Sequence, residues 1–321
     1  MVNNIFIVNT SFQRYICETI IQQKFTDASK YVNTIISTVP KQEISLTNLV
    51  VIHIRKNIQH IVKDLRSVCA FMKKSILMAD SSCFFVPHVN NLISSYIYTH
   101  LTSQKSQIAV YYEGMALFYA PIVKLPRYKI AQRYVLGFLS GMHYEHFATL
   151  YPEKLRSIAT AYTPTPKFAT EFKKQEYFTL PTVELSGTRN EILLLLPPFD
   201  MEQDYADVKS VVDYVVLHHK NALVYLKPHF ENREEILKKI ISYGSENGVT
   251  FHILEKEKIV EHFIVSKNIG TIYTSYFSSA LINLRLMYGD ALEINLVCKD
   301  ALAWSKYTHS FNVNVINSTT C

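Results

Sequence analysis

Four polar signals fall just past runs of residues that read as buried β-strands. QIAVYY leads into Glu113 and Gly114, and EILLLLPP into Asp200. NALVYL leads into Lys227, Pro228 and His229, and GTIYTSYF into Ser278 and Ser279. In open α/β sheets, ligands bind in the crevice outside the carboxyl ends of the strands. An acid, a histidine and a hydroxyl pair delivered to such ends point to one site that holds a phosphate and moves a proton.

Each signal has a chemical and a purely structural reading. Ser278 and Ser279 open a helix directly after a strand, where unpaired N–H groups and a partial positive charge can hold a phosphate without a glycine loop. The same residues also read as an ordinary N-cap. His229 can protonate a leaving oxygen or donate a hydrogen bond to it, or it is a loop histidine among the twelve in the chain. Lys227 adds charge or points to solvent. Glu113 and Asp200, one in each half, could each take a proton from an acceptor hydroxyl within hydrogen-bond reach, or cap a helix. Pro197 and Pro198 stiffen the approach to Asp200, and Gly114 lets the backbone turn sharply beside Glu113. Glu255 or Glu257 could bind ribose hydroxyls, or complement a helix dipole.

His143 and His146 have i,i+3 spacing but no third ligand partner in the sequence, so a structural or acceptor-side role is expected and no metal. Lys124, Arg127, Lys129 and Arg133 cluster with Tyr128. They read as a face for anionic lipid or a charged acceptor, or as a solvated helix surface.

These residues need a scaffold large enough for two cores. The chain has 321 residues, 48% hydrophobic and 19% charged, which fits two folded domains and argues against disorder. A net charge of +6 suits an anionic small substrate or an anionic membrane surface, and lacks the dense basic stripe of a nucleic-acid binder. The five cysteines, Cys17, Cys69, Cys83, Cys298 and Cys321, form no C-x-x-C pair and read as reduced residues of a cytoplasmic protein. No apolar run approaches the ~20 residues of a membrane span, and the N-terminus lacks a signal-peptide pattern. There is no G-x-G-x-x-G and no P-loop motif, which argues against dehydrogenases and P-loop enzymes.

Strand and helix patterns alternate along the chain, which implies parallel, doubly wound sheets. NNIFIVNT, NLVVIHI, CFFVPH and IAVYY read as strands. A helix follows the first of them, with Ser11 as N-cap. The region from Ile130 to Tyr162 reads as mainly helical. Proline, glycine and a charge run then mark 163–190 as a linker. Alternation resumes through EILLLLPP, ALVYLKPH, VTFHIL, GTIYTSY and LEINLV. The expected organisation is therefore an N-terminal Rossmann-like domain over 1–162 on the acceptor side, the linker, and a nucleotide-binding C-terminal domain over 191–321. Two such units facing each other across a cleft are the architecture of GT-B glycosyltransferases, an analogy at the level of fold.

In this order the motifs resemble those of bacterial sialyltransferases, especially the lipooligosaccharide sialyltransferase family (glycosyltransferase family 52) and its polysialyltransferase relatives. That group carries an acidic-acidic-Gly motif, then a His-Pro motif, then a Ser-rich motif. Tyr112-Glu113-Gly114 stands for the first, Lys227-Pro228-His229-Phe230 for the second, and the run from Tyr273 to Ser279 for the third. Two departures stand out. Tyr112 occupies the first acidic position, and Pro228 precedes His229 where the family has proline after it.

The resemblance implies a GT-B fold, CMP-N-acetylneuraminic acid as donor, no metal or other cofactor, and inversion at the anomeric carbon. It implies that Ser278 and Ser279 hold the CMP phosphate, with Lys227 and Pro228 beside it, and that Glu255 or Glu257 holds the ribose. His229 would serve the departing phosphate. The base would be Asp200, by analogy with the lipooligosaccharide family and favoured for its position, or Glu113, by analogy with the polysialyltransferases. The acceptor would be a galactose-terminated glycan of a bacterial surface polysaccharide, lipooligosaccharide or O-antigen, with linkage open. The enzyme would sit in the cytoplasm, with peripheral contact to the inner membrane and homodimer formation open. The alternatives are a GT-B enzyme using another CMP-nonulosonic acid or a UDP sugar, and a glycan- or nucleotide-binding protein without catalysis.

Overall fold

The computed structural model describes residues 1–39, 48–55, 57–102, 105–114, 117, 125–169, 171–185, 189–197, 202–229, 232–256, 258–298 and 308–317. The chain divides into two compact units, Met1–Leu180 and Pro181–Cys321.

The first unit is built from β1 (Val2–Val8), α1 (Ser11–Lys24), β2 (Tyr31–Ser37), β3 (Leu49–His53), α2 (Ile58–Met78) and β4 (Ser81–Val86). There follow α3 (Leu92–Tyr96), which runs into a π-helical turn at Ile97–Leu101, and β5 (Ser106–Tyr111). α4 (Arg127–Ser140), α5 (Glu153–Ile158), β6 (Thr160–Thr163) and β7 (Lys174–Tyr177) complete it. Its seven strands are parallel, in the order β3-β2-β1-β4-β5-β6-β7. Apolar residues fill each central strand on both faces, as helix-covered parallel sheets require. Phe6 of β1 stacks on Phe85 of β4 at 4.2 Å between ring centroids.

The second unit contains β8 (Glu191–Leu195), α6 (Glu202–His218), β9 (Leu223–Lys227), α7 (Glu234–Glu246), β10 (Thr250–Ile253) and α8 (Glu261–Ser266). β11 (Ile269–Thr274), α9 (Ser279–Tyr288), a 3₁₀ turn, β12 (Glu293–Cys298) and β13 (Asn314–Asn317) follow. The six parallel strands run β10-β9-β8-β11-β12-β13. Leu194 and Leu226 from this sheet pack with Val212 and Val215 of α6 and Ile240 of α7.

Both orders reverse direction once. The chain adds strands to one side of β1, then returns to place β4 on its other side. β8 and β11 repeat the pattern. Loops leaving the two strands at such a switch point diverge, which opens a crevice for ligands at their carboxyl ends.

Several expectations are corrected. β2 was missed because Asn33 and Thr34 interrupt its apolar pattern. Both are buried, and Asn33 meets its register partner Asn4 through a 3.1 Å side-chain hydrogen bond. The stretch expected as a linker, 163–190, carries β7, which pairs with β6 and belongs to the first sheet, so the division between units falls after Leu180. The region expected to be helical from Ile130 to Tyr162 breaks at Gly141, which has φ 74° and caps α4. An irregular segment, a short helix and β6 follow it. The N-cap of α1 is Thr10, whose side chain accepts the Gln13 N–H, and Ser11 is the first helical residue.

Cys17, Cys69 and Cys298 are buried, and none of these or Cys83 is bridged. Burial pushes the Cys83 thiol up to about 12. Cys321 lies outside the described residues. Among the described residues, no helix is long and apolar enough to cross a membrane.

Candidate active site

In the first unit the chemistry gathers around Glu113. Tyr112 and Glu113, the first two residues past β5, have different surroundings. Tyr112 is fully buried, packed against Phe168 at 5.1 Å between centroids, so the residue in the family's first acidic position belongs to the core here. Glu113 is partly exposed and is followed by Gly114 at φ 112°, a conformation that favours glycine. The carboxylate is held at both oxygens. Gln13 donates from Nε2 to Oε2 at 2.9 Å, and the Tyr151 hydroxyl lies 3.1 Å from Oε1.

The Gln13 amide has one usable orientation. The backbone N–H of Gln13 donates to Thr10 Oγ1 at 3.1 Å, and the side-chain Oε1 accepts the Asn9 N–H at 2.8 Å. This is a variant of the capping box, and it leaves Nε2 facing Glu113. The N-terminal turn of α1 therefore reaches from the end of β1, past β4, to the end of β5. The Tyr151 hydroxyl, fully buried, also lies 2.9 Å from Pro87 O at the end of β4. It has one proton for two acceptors. Burial, then the charge of Glu113, pushes its hydroxyl well above the usual tyrosine range, so Tyr151 remains a donor. His88 follows Pro87. Its Nδ1 accepts the Asn90 N–H at 3.0 Å, which leaves Nε2 as the nitrogen that carries the proton in the neutral ring.

In the second unit His229 stands just past β9, the neighbour of β8. Its N–H donates to Asn232 Oδ1 at 2.7 Å, while Asn232 Nδ2 donates to Pro197 O at 3.0 Å. Asn232 is 3% exposed and thus ties the His229 turn to the loop that leaves β8. Lys256, past β10, adds a third loop by donating to Asn232 O at 2.8 Å. Lys227 is buried, and its ammonium donates to Lys256 O at 3.0 Å and Pro228 O at 3.2 Å, so these bonds bind β9 to the β10 loop. Pro228 is buried beside it.

Ser278 caps α9 at φ −121°, yet its side chain makes no capping bond. Its Oγ and that of Ser275 are buried without a hydrogen-bond partner. An unpaired buried hydroxyl costs about 1–3 kcal/mol. Two of them beside the positive end of a ten-residue helix make a place where an anion's oxygens relieve both costs. Behind them, Asn283 of α9 donates to Glu261 at 2.9 Å, and Tyr288 donates to Glu261 O at 2.8 Å. Burial raises the Glu261 carboxyl, against the lowering effect of Asn283 and of the Lys227 charge.

The structure thus brings His229, Lys227 and Pro228 to the β9 end and Ser278 and Ser279 to the β11 end of one sheet. Glu255 is exposed past β10 and pairs with Lys258 at 2.7 Å. Asp200 and Glu257 lie outside the described residues, as does Lys124. His143 and His146 sit on the irregular segment after α4 and not on a helix face, because Gly141 has ended the helix. Among the described residues, no three histidine, cysteine or acidic side chains converge. Sequence reasoning missed Gln13, Tyr151, His88, Asn232 and Ser275. The Thr10-x-x-Gln13 spacing, and for Ser275 its place within the run from Tyr273 to Ser279, were the readable signals.

Two parallel α/β units, each with polar groups at its switch point, define the GT-B class of glycosyltransferase fold. Solved structures agree at the level of fold. The chain is similar to an S. aureus MnaA–UDP structure at 10% identity, covering 99% of this chain and 84% of that one, with TM-score 0.54. It is similar to WaaG, a glycosyltransferase involved in lipopolysaccharide biosynthesis, at 11% identity, with 99% and 86% covered and TM-score 0.53. A glycosyltransferase from Rickettsia africae matches at 12% identity, with 98% and 84% covered and TM-score 0.52. No protein of curated function matches the sequence. The model of the alpha-2,8-polysialyltransferase family matches residues 2–292, and the chain belongs to that family. It is a glycosyltransferase of sialyltransferase type.

Proposed function

We propose that the protein transfers sialic acid from CMP-N-acetylneuraminic acid to a bacterial surface glycan, with inversion at the anomeric carbon. The observation that carries the reading is the Glu113 carboxylate, clamped by Gln13 and Tyr151 at a strand end of a chain that belongs to the polysialyltransferase family. Glu113 takes the proton of the acceptor hydroxyl as that oxygen bonds to the anomeric carbon. The bond from that carbon to the CMP phosphate breaks on the opposite face, in a single displacement that inverts the centre.

The leaving phosphate carries the departing electron pair. His229 and the N-terminal end of α9, with Ser275, Ser278 and Ser279, stabilise its charge. Lys227 and Pro228 shape this pocket from behind, and Glu255 or Glu257 receives the ribose hydroxyls. A positive helix end and a histidine supply the charge that a metal would supply elsewhere, so activity in EDTA is expected. Family membership favours Glu113 over Asp200 as base, because the first-motif acid is the one that the polysialyltransferase resemblance implies.

The acceptor chemistry has two readings. The lipooligosaccharide resemblance favours a galactose end, while the family's description favours a sialyl end and a 2,8 linkage. The test is incubation with CMP-N-acetylneuraminic acid, EDTA and fluorescent lactoside or sialyllactoside, followed by mass spectrometry. A gain of one sialic acid on lactoside supports the first reading, and repeated gains on sialyllactoside support the second. With neither transfer nor CMP release, the donor assignment fails and UDP sugars come next. CMP binding without turnover, unaffected by Glu113→Gln or Asp200→Asn, would indicate a binding protein.

A further inference from the structure

α4 is built inside out. A helix on a protein surface ordinarily turns its apolar stripe inward. Here the buried residues are Gly137 and Ser140. A Cβ on Gly137 would meet Leu92 Cδ1 of α3 at 3.2 Å, so the helix lies close against the unit on its small-residue side. On that side Arg133 donates to Asn90 O and, at 3.2 Å, to Tyr144 OH. The outward residues are Tyr128 at 68% exposure, Val135 at 57%, Phe138 at 88% and Leu139 at 42%, with Tyr134 at 46%. At 3.6 residues per turn these positions span an arc of about 140°. Exposing one large apolar side chain is ordinary, but five on one arc mark an interaction surface.

The charges on α4 are all of one sign. Arg127 and Lys129 are exposed in the first turn, and α4 contains no aspartate or glutamate. Beside the last turn, exposed Arg66 of α2 donates to Leu139 O at 2.8 Å. We infer that α4 is a monotopic docking face for an anionic lipid surface, with Phe138, Val135, Leu139 and Tyr128 entering the interface and Arg127, Lys129 and Arg66 meeting acidic headgroups. Such a bilayer supplies both the apolar layer and the anions that the helix calls for. A second copy of α4 would bring no carboxylate to these cations. The inference rests on α4 and Arg66 alone and stands whichever sugar donor is used.

The experiment is co-sedimentation of the full chain with vesicles of phosphatidylcholine plus phosphatidylglycerol, and with vesicles of phosphatidylcholine alone. The protein is expected to bind the anionic vesicles and to release as salt rises. Phe138→Ser should weaken partition roughly tenfold, the worth of one large apolar side chain. Arg127→Gln and Lys129→Gln should each weaken it about fivefold. Val265→Ser, at an apolar site 50% exposed in the second unit, should leave it unchanged, and transfer to a soluble acceptor should be unaffected in all four variants. Failure of the wild type to bind anionic vesicles, or full binding by Phe138→Ser, overturns the inference. A concentration-dependent dimer that Phe138→Ser dissociates would instead assign the face to a second copy. A folded far-ultraviolet spectrum for each variant separates lost binding from lost structure.

Discussion

Asn232→Ala tests whether the second-unit site is positioned by one buried amide. The side chain satisfies two backbone groups, the His229 N–H at 2.7 Å and the Pro197 carbonyl at 3.0 Å. Truncation leaves both without that partner in a site that is 3% exposed. An unsatisfied buried group costs about 1–3 kcal/mol. His229 and Pro197 are each partly exposed, so water recovers some of this and a total of about 2–4 kcal/mol is expected. The second unit has about 140 residues. At an unfolding entropy of ~2.1 cal/mol/K per residue, its melting point falls by about 7–14 °C.

The same truncation uncouples the His229 turn from the loop leaving β8. A misplacement of about 1 Å costs on the order of 100-fold in turnover. Differential scanning calorimetry and steady-state kinetics on the same preparation read both effects. Asn232→Asp sharpens the test. Its carboxylate still accepts the His229 N–H but turns an oxygen toward the Pro197 carbonyl, so it should keep part of the stability and regain less of kcat. A drop in melting point with kcat intact would make Asn232 purely structural. A melting point within about 2 °C of wild type, together with unchanged kcat, would refute the hydrogen-bond argument itself.

His229→Ala should lower kcat by about 10²–10³-fold while calorimetric affinity for CMP changes little, because its contact strengthens as the phosphate departs; equal losses in both would remove that role. Glu113→Gln should cost about 10²–10⁴-fold in kcat, and Tyr151→Phe less, as measured by product release; if Asp200→Asn alone abolishes turnover, the base is Asp200. Ser275→Ala should stabilise the unliganded protein by about 1 kcal/mol and raise the donor KM, since it deletes an unpaired buried hydroxyl that a ligand would satisfy; a less stable protein or an unchanged KM would contradict this. The Arg55 guanidinium, at 2.7 and 2.9 Å, holds the Asp64 carboxyl down at about 2, below the unfolded value of about 3.9. A depressed acid stabilises above its unfolded pKa and loses that contribution as pH falls, so Asp64→Asn should destabilise at pH 7 and the deficit should fade from about pH 4 to about pH 2 in urea titrations.

The sequence makes the site's strand ends legible because parallel strands buried on both faces are continuous apolar runs, and their last residues are where polarity returns. NALVYL into Lys227 and GTIYTSYF into Ser278 are of this kind. β2 is illegible by the same rule, since Asn33 and Thr34 look like a break until Asn4 is known to lie opposite. Gln13 and Tyr151 were hidden for a different reason. Their partners are 100 and 38 residues away in the chain, and no local pattern encodes which buried tyrosine meets which acid. Asn232 stands just before α7, a common place for asparagine, yet its side chain bridges two loops. Lys227 carries the reverse lesson. A lysine at a strand end suggests phosphate charge, and no local pattern shows that this one is buried with its ammonium donating to two backbone carbonyls.

The Tyr151 contact has a property suited to the proposed role of Glu113 as the group that gains a proton. With Glu113 ionised, the single Tyr151 proton can point to Oε1, and Pro87 O then lacks that donor. Once Glu113 carries a proton, its own O–H can point to the Tyr151 oxygen, and the Tyr151 proton can turn to Pro87 O, 2.9 Å away. Only hydroxyl rotations separate the two arrangements, and no heavy atom has to move. Gln13 offers no such freedom, because Asn9 fixes its amide and Nε2 faces Oε2 throughout. One oxygen of the carboxylate is therefore anchored while the other can change its hydrogen-bond sense. Preorganised donors that need no rearrangement at the moment of reaction are what lower a barrier in a low-dielectric site. Tyr112, which precedes Glu113 in the first motif, is buried in the core. A second carboxylate at that position would be buried against Phe12 and Phe168, with nothing in their rings to share its charge.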